Sequence, residues 1–504
     1  MNVSAGRTAR SGSAQKPKAR LGALAGVVAF LAFVEYTSGF LQGYYTPMLT
    51  DIARHLRVPD ADVNWLEGSQ LILSALVVPA LAKLGDMVGH RRILLWSTAL
   101  TGLATLALPF APNFAVFLVC WTLQGFYVVW LPIEIALLWV RSRDIKLRSA
   151  VVAKAAGLLV AALEVGAISG ALLGGQLIDS LPLFPVLLIP GVLVSVCFVV
   201  IAFGVKESPE PTGGRLDIVG LTLVTFAILG FTGGLSLMRL HGFESPLAWG
   251  VTLLGLLLVW PFARWELRHP DPIIDVRMFR SPALAPVFIT AALFGISVLG
   301  SQAPLSTFMR TDPEVYGYGI GAGGFTTSLA IGCYLIGMIT GALLFPQVSR
   351  LLTPRITLTC AAVLVGIGYL MFLPMHDTFA QVITNMIITG IGSGALVAAL
   401  PAAAAAGAHE SQTGVATGLT NSSKTMGGAV SSAVFGIALM HGATGAAADA
   451  TATAGSFSGY VTVWVVCGGA ALVAAALLLF IVPKNAFQDR PASPAPAAVG
   501  GARP

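Results

Sequence analysis

The chain has 504 residues, of which 56% are hydrophobic and only 10% charged, with a formal net charge of +6. Soluble domains carry about 25% charged residues, so the composition excludes a soluble globular protein and points to the membrane class. The basic excess follows the loops and is not a nucleic-acid signal, and neither the seven histidines nor the five cysteines (Cys120, Cys197, Cys333, Cys360, Cys467) form a disulfide frame or a metal-ligand pattern.

A membrane-spanning helix needs about 20 mostly apolar residues. Fourteen stretches qualify: about 21–47, 62–84, 92–110, 113–139, 149–178, 184–205, 216–238, 246–264, 283–308, 322–345, 355–375, 379–402, 412–441 and 458–482. The first is too long for a signal-peptide core, so it is expected to be retained. Residues 1–20 read as a basic tail suited to an anionic inner leaflet. Six spans follow within 21–210, a two-span hairpin with linkers within 211–275, and six more spans within 276–484. Residues 485–504, rich in Pro and Ala, read as a disordered tail. Six plus six around a central connection is the layout of two related bundles about a midplane site. With both termini in the cytoplasm, only Arg54, Arg57, Arg239 and Arg310 fall outside, and Lys424 alone stays in a span. The positive-inside rule therefore selects that orientation.

Of the 23 acidic residues, four glutamates lie inside predicted spans: Glu35, Glu67, Glu134 and Glu164. A charge in hydrocarbon costs about 2.5–3.5 kcal/mol on insertion scales, and such residues mark substrate or proton pathways. Glu35 and Gln42 are seven residues apart and share a helix face with Ser38 and Thr46, which makes a polar stripe suited to a cavity wall. The other reading of Glu35 is a packing tie to a neighbouring helix. Glu67 lies near the outer end of its span, where it either carries a proton or snorkels to the interface. Glu134 is placed near the cytoplasmic surface, with an ion pair to Arg141, Arg91 or Arg92 expected. Glu164 is a cavity-wall candidate. Lys424 is the only base near mid-membrane, either a structural anchor or a partner for an acidic group. Gln302, Ser306 and Asn385 add neutral hydrogen-bonding groups.

The loop after the second span reads Ala82-Lys83-Leu84-Gly85-Asp86-Met87-Val88-Gly89-His90-Arg91-Arg92. Gly89 permits a tight turn, and Asp86 can accept hydrogen bonds from basic groups. The stretch resembles motif A of the major facilitator superfamily, which implies a cytoplasmic latch made by Asp86, Gly89, Arg91 and Arg92, with Arg148, Glu134 and Arg141 beside it. A basic loop that only sets topology is the other reading. The fourth span carries Trp121-Thr122-Leu123-Gln124-Gly125-Phe126-Tyr127, which resembles motif B with Trp121 in place of its Arg and Tyr127 in place of its last Gly. Gly157, Gly166, Gly170, Ala171, Gly174 and Gly175 resemble motif C of the drug antiporters, with Ala171 in place of Pro. Small residues at this spacing also serve close helix packing. Glu35-Tyr36-Thr37 followed by Pro47, and the features of 215–280, are similar to the fourteen-span drug:proton antiporter subfamily.

The resemblance implies an all-α polytopic membrane protein with the major facilitator fold: two six-helix bundles plus an extra two-helix hairpin, 14 transmembrane helices in all. It implies secondary export of amphipathic organic molecules by alternating access in the cytoplasmic membrane. Protons would be carried by Glu35, Glu164 or Glu67, and substrate held among Gln42, Trp121, Gln124, Tyr127, Gln302, Ser306, Asn385 and Lys424. Gly157, Gly166, Gly170 and Gly174 would pack helices. No enzyme activity, metal, cofactor or nucleic acid is expected, and the expected state is a monomer in the lipid bilayer. Trp121 and Ala171 keep open an uncoupled or differently coupled transporter of a metabolite or lipid. A non-transporting sensor or a polytopic membrane enzyme are the readings from another class.

Overall fold

The computed structural model describes residues 25–142, 148–207, 217–242, 244–270, 272–408, 413–441 and 454–482. Both tails, most of the loop 206–217, and the side chains of Asp86 and Arg148 lie outside the described residues. The described chain is helical, with no strand: α1 Ala25–Tyr44, α2 Leu49–Leu56, α3 Val63–Val88, α4 His90–Ala107, α5 Phe114–Gln124, α6 Trp130–Arg141, α7 Arg148–Ile178, α8 Leu183–Gly204, α9 Ile218–His241, α10 Pro246–Glu266, α11 Ala285–Val298, α12 Gln302–Arg310, α13 Pro313–Tyr316, α14 Gly324–Leu351, α15 Pro354–Leu370, α16 Phe379–Gly407, α17 Thr413–Met440 and α18 Phe457–Phe480.

Among the described residues twelve helical segments are long and apolar enough to cross a membrane. The count of fourteen expected from sequence is not reached by that measure. The two stretches that fall short are still helices. Pro354–Leu370 is only 17 residues long, and Thr413–Met440 is interrupted by the polar run Asn421-Ser422-Ser423-Lys424-Thr425. Three spans that read as continuous are broken. Pro47 begins a 3-10 turn after α1, where its missing N–H is harmless. A 3-10 turn at Gly125–Val129 separates α5 from α6. Leu299–Ser301 separates α11 from α12.

Two large apolar cores organise the molecule. One draws on α1 to α8, with Leu31, Phe117, Trp121, Trp130 and Cys197 at its centre. The other draws on α11 to α18, with Phe288, Phe308, Phe372, Tyr460 and Trp464. The hairpin α9–α10 forms a small third core from Val224, Ile228 and Phe262, which rest on Ile72 and Leu76 of α3 and Met426 of α17. Helices touch closely where glycine stands. A Cβ on Gly166, Gly170 or Gly174 of α7 would lie 2.1, 2.5 or 2.2 Å from the carbonyl oxygens of Tyr36, Phe40 and Tyr44 in α1. The smooth stripe is therefore a backbone-to-backbone seam. Gly157, about two and a half turns before it, has nothing within 4 Å.

Candidate transport site

A cavity of about 110 Å³ lies between the two cores. From α1 and its 3-10 extension come Gln42, Gly43 and Thr46; Ala167 comes from α7. The opposite wall is aromatic and hydroxylated, with Ser301, Gln302, Tyr334, Tyr369, Phe372 and Thr389 among its residues. Among the described residues, no Asp, Glu, Lys, Arg or His lines it. Ser301 and Tyr369 share a 2.5 Å hydrogen bond. The polar stripe of α1 thus reaches the cavity at Gln42, in the last turn of the helix and exposed there.

Charge stands beside this cavity. Glu164 on α7 and Lys424 on α17 act electrostatically on each other across the two halves. Tyr334 lies within reach of the same Glu164. The backbone of Lys424 is pressed against Gly295 of α11, where a Cβ would meet the Lys424 carbonyl oxygen at 1.9 Å. Its side chain lines a second space of about 30 Å³ with Phe294, Leu400, Thr420 and Asn421.

At one end the two halves are latched. The Arg310 guanidinium donates to both carboxylate oxygens of Asp51, at 2.7 and 2.6 Å. It also lies 3.8 Å from Asp179. Asp179 in turn accepts the backbone N–H groups of Gly324 and Phe325 at 2.8 and 2.9 Å, and so caps α14 from the other half. Ser328 donates to the Ala171 carbonyl at 2.7 Å, and Ser306 donates to the Thr46 carbonyl. Sequence reasoning noted Arg310 only as a loop charge and missed this network.

At the opposite end Gly89 adopts φ +111°, which favours glycine, between α3 and α4. A Cβ there would fall 2.7 Å from the Glu207 carboxyl carbon. That carboxylate accepts the Arg91 N–H at 3.0 Å and the Arg92 N–H at 3.2 Å, and caps α4. The Arg91 side chain donates to the carbonyls of Val205 and Ala202 at 2.6 and 2.7 Å. Arg141 donates to the carbonyls of Lys206 and Glu207. These described contacts of the motif-A residues lie within one half.

The expected ion pair of Glu134 with Arg141, Arg91 or Arg92 is not formed, because all three arginines serve carbonyls and Glu207 at the end of α8. Glu134 is instead fully buried, and its carboxyl meets that of Glu35, also fully buried. A 3-10 break at Gly125–Val129 precedes α6, and hydropathy alone gave no sign of it. Cys197 lies beside the pair.

The remaining candidates sit inside the bundles. Trp121 stacks with Phe117 at 6.0 Å and meets Tyr45 edge-on at 4.9 Å. Gln124 is buried, and its carbonyl accepts the Thr101 hydroxyl at 3.2 Å. Tyr127 donates to Gln70 at 3.4 Å and lies within reach of Glu67. Asn385 is fully buried and donates to the Met375 carbonyl at 2.7 Å. Of the eight residues expected to hold substrate, Gln42, Gln302 and Ser306 line the main cavity and Lys424 the smaller one. The others line neither.

Two helical halves enclosing a cavity latched at one end are the architecture of a transporter. Residues 28–432 match the Major Facilitator Superfamily, and the chain belongs to that family of multi-pass membrane transporters. Among similar proteins is the drug efflux pump JefA of Mycobacterium tuberculosis, 24% identical over 84% of this chain and 80% of that one. The cephamycin export protein CmcT of Amycolatopsis lactamdurans is 24% identical over 81% and 83%. The uridine/deoxyuridine transporter of Lactococcus lactis is 22% identical over 75% and 82%. In fold, the chain is similar to the nucleoside transporter NupG, with TM-score 0.63 and 12% identity, covering 91% of this chain and 100% of that one. A POT family transporter in complex with 5-aminolevulinic acid gives TM-score 0.65 and 15% identity over 91% and 96%.

Proposed function

We propose that this transporter exports amphipathic organic compounds by alternating access, with protons driving the cycle through buried glutamates. The observation that carries the reading is a largely apolar, hydroxyl-edged cavity built by both halves, with a cross-half latch that, among the described residues, stands at one end. Such a cavity suits a molecule with an apolar body and neutral hydrogen-bonding groups. Rocking the halves about it would expose the site to either side. The positive-inside bias makes the Arg91 end cytoplasmic and the latched Arg310 end external, in the cytoplasmic membrane. On this assignment α15 and α17 complete fourteen spans, and residues 216–264 are the extra hairpin between two bundles. Drug-export relatives support the direction of transport. The motif-A turn, with Asp86 and Arg148, serves as the cytoplasmic latch of the alternate state.

The test is flux in proteoliposomes holding the full chain, with ethidium and a neutral amphipathic dye as probes. An imposed proton gradient is expected to drive accumulation. Replacing Glu35 or Glu164 with Gln, which removes the titratable group at nearly constant shape, is expected to abolish that accumulation in at least one variant. Wild-type accumulation by both single variants and by the double variant overturns proton coupling through these residues. A second reading, uncoupled movement of a metabolite or lipid, is favoured by Trp121, which fills the motif-B arginine position with a buried aromatic cluster. Gradient-independent equilibration of the same probes would select it.

A further inference from the structure

We infer that Glu35 and Glu134 form a two-carboxyl site that holds one shared proton inside the N-terminal bundle, separate from the substrate cavity. The inference deepens the proton-coupled reading and rests on it for its role in transport, but the site itself is argued from geometry.

The two residues come from different helices, α1 and α6, and both are fully buried. All four of their carboxyl oxygens lack any donor from the rest of the described protein, and the side chain each meets is the other. Among the described residues, the neighbouring cations are engaged elsewhere. On α4, Arg91 is held by Val205, Ala202 and Glu207, and Arg92 by Glu207. Arg141, at the end of α6 itself, is held by the carbonyls of Lys206 and Glu207. On α7, Lys154 is exposed and Glu164 faces Lys424. The titratable group that reaches the pair from α8 is the thiol of Cys197, beside Thr37 of α1. Two adjacent carboxylates with no cation repel, and a buried ion without a partner is heavily disfavoured. One proton held between them removes a charge and supplies the missing donor. Two like carboxyls in contact then titrate as a unit.

The position connects this proton to the cavity without placing it there. Glu35 and Gln42 are seven residues apart on α1, or about 10.5 Å of helix rise, and Gln42 lines the cavity. Release of the proton leaves two negative charges on α1 and α6. That favours any arrangement that separates these helices or hydrates the site. Because α1 touches α7 backbone to backbone, a shift of α1 carries Gln42 and the Glu164 helix with it. Substrate and proton can therefore compete through the position of α1 without sharing a contact.

The experiment is infrared difference spectroscopy of the full chain in lipid nanodiscs, titrated from about pH 5 to about pH 10, with no transported probe present. Glutamate labelled with carbon-13 identifies the carboxyl C=O band. Wild type is expected to lose one protonated-glutamate band that is absent from the E35Q/E134Q double variant. Each single Gln variant is expected to move the midpoint by at least about one pH unit, a tenfold change in proton affinity. Unmoved midpoints in both single variants mean independent carboxyls and overturn the proposal. So does a wild-type protein with no titrating buried carboxyl band, a result that needs no variant to fold. Gradient-driven flux of the dyes, measured in parallel, separates the two readings. A shared band with flux unaffected by either variant leaves the proton site standing and removes its part in coupling.

Discussion

Lys424 is the residue on which the charge balance of the central region turns. It is a base on α17 facing Glu164 on α7, so removing it leaves a carboxylate beside a nearly apolar cavity. A charge without a compensating partner in a partly buried site is disfavoured, and each of the two residues eases that cost for the other. Lys424→Met is therefore expected to slow probe flux more than Lys424→Arg, and Lys424→Met combined with Glu164→Gln to recover part of the loss. Initial rates in proteoliposomes of equal protein content check this. Additive losses would show that the two residues act separately. The sequence made Glu164 and Lys424 conspicuous because each breaks an apolar run. It gave no such flag for Tyr334, Tyr369, Ser301 and Thr389 on the opposite wall, since neutral hydroxyls are unexceptional in a span. Trp121 misled in the other direction: its motif position suggested substrate contact, and its size put it in the core.

At the scale of elements, the seam between α1 and α7 was foreshadowed by the four-residue spacing of Gly166, Gly170 and Gly174. What the spacing could not give was the partner helix. Gly170→Leu would force the seam open, because even a Cβ meets the Phe40 carbonyl at 2.5 Å. Overpacking of this kind typically costs about 1–3 kcal/mol. The variant is expected to lower the thermal midpoint in detergent and to impair flux, whereas Gly157→Leu, which faces open space, leaves both near wild type. Equal midpoints for the two would mean that the seam is not a stability determinant. Helix existence was largely legible from hydropathy, but breaks within spans were not. Pro47 gives a local reason for one break. The turn at Gly125–Val129 reflects packing, with a Cβ on Gly125 meeting the Gln70 side chain at 2.6 Å.

At the scale of the whole molecule, the Arg310 network decides which end is shut. Its partners are 259 residues apart in sequence, so no local pattern could reveal it. A contact made in only one state biases the equilibrium by its full differential energy. With Arg310 and Asp51 mostly buried, Arg310→Gln is expected to raise the population open at that end about tenfold, equivalent to about 1.4 kcal/mol. Cysteine substituted at Ala330, which lines the cavity and takes no part in the latch, reports it through faster reaction with a membrane-impermeant thiol reagent added from that side. An unchanged labelling rate would mean that Ser306, Ser328 and Asp179 hold the closure without the guanidinium.

The hairpin gives the molecule a front and a back toward lipid. The bundles meet along two seams, α3 with α17 and α7 with α14. The α9 face of the hairpin lies over the first, through Val224 and Ile228 on Ile72, Leu76 and Met426. Among the described residues no further helix makes comparable contact with the second, and Val165 of α7 and Ile336 of α14 are more than half exposed. A compound dissolved in the hydrocarbon thus meets one shielded crevice and one bare one, and approach from the bilayer becomes one-sided. A photoreactive amphipath is expected to crosslink to α7 and α14 and to spare the inner faces of α3 and α17.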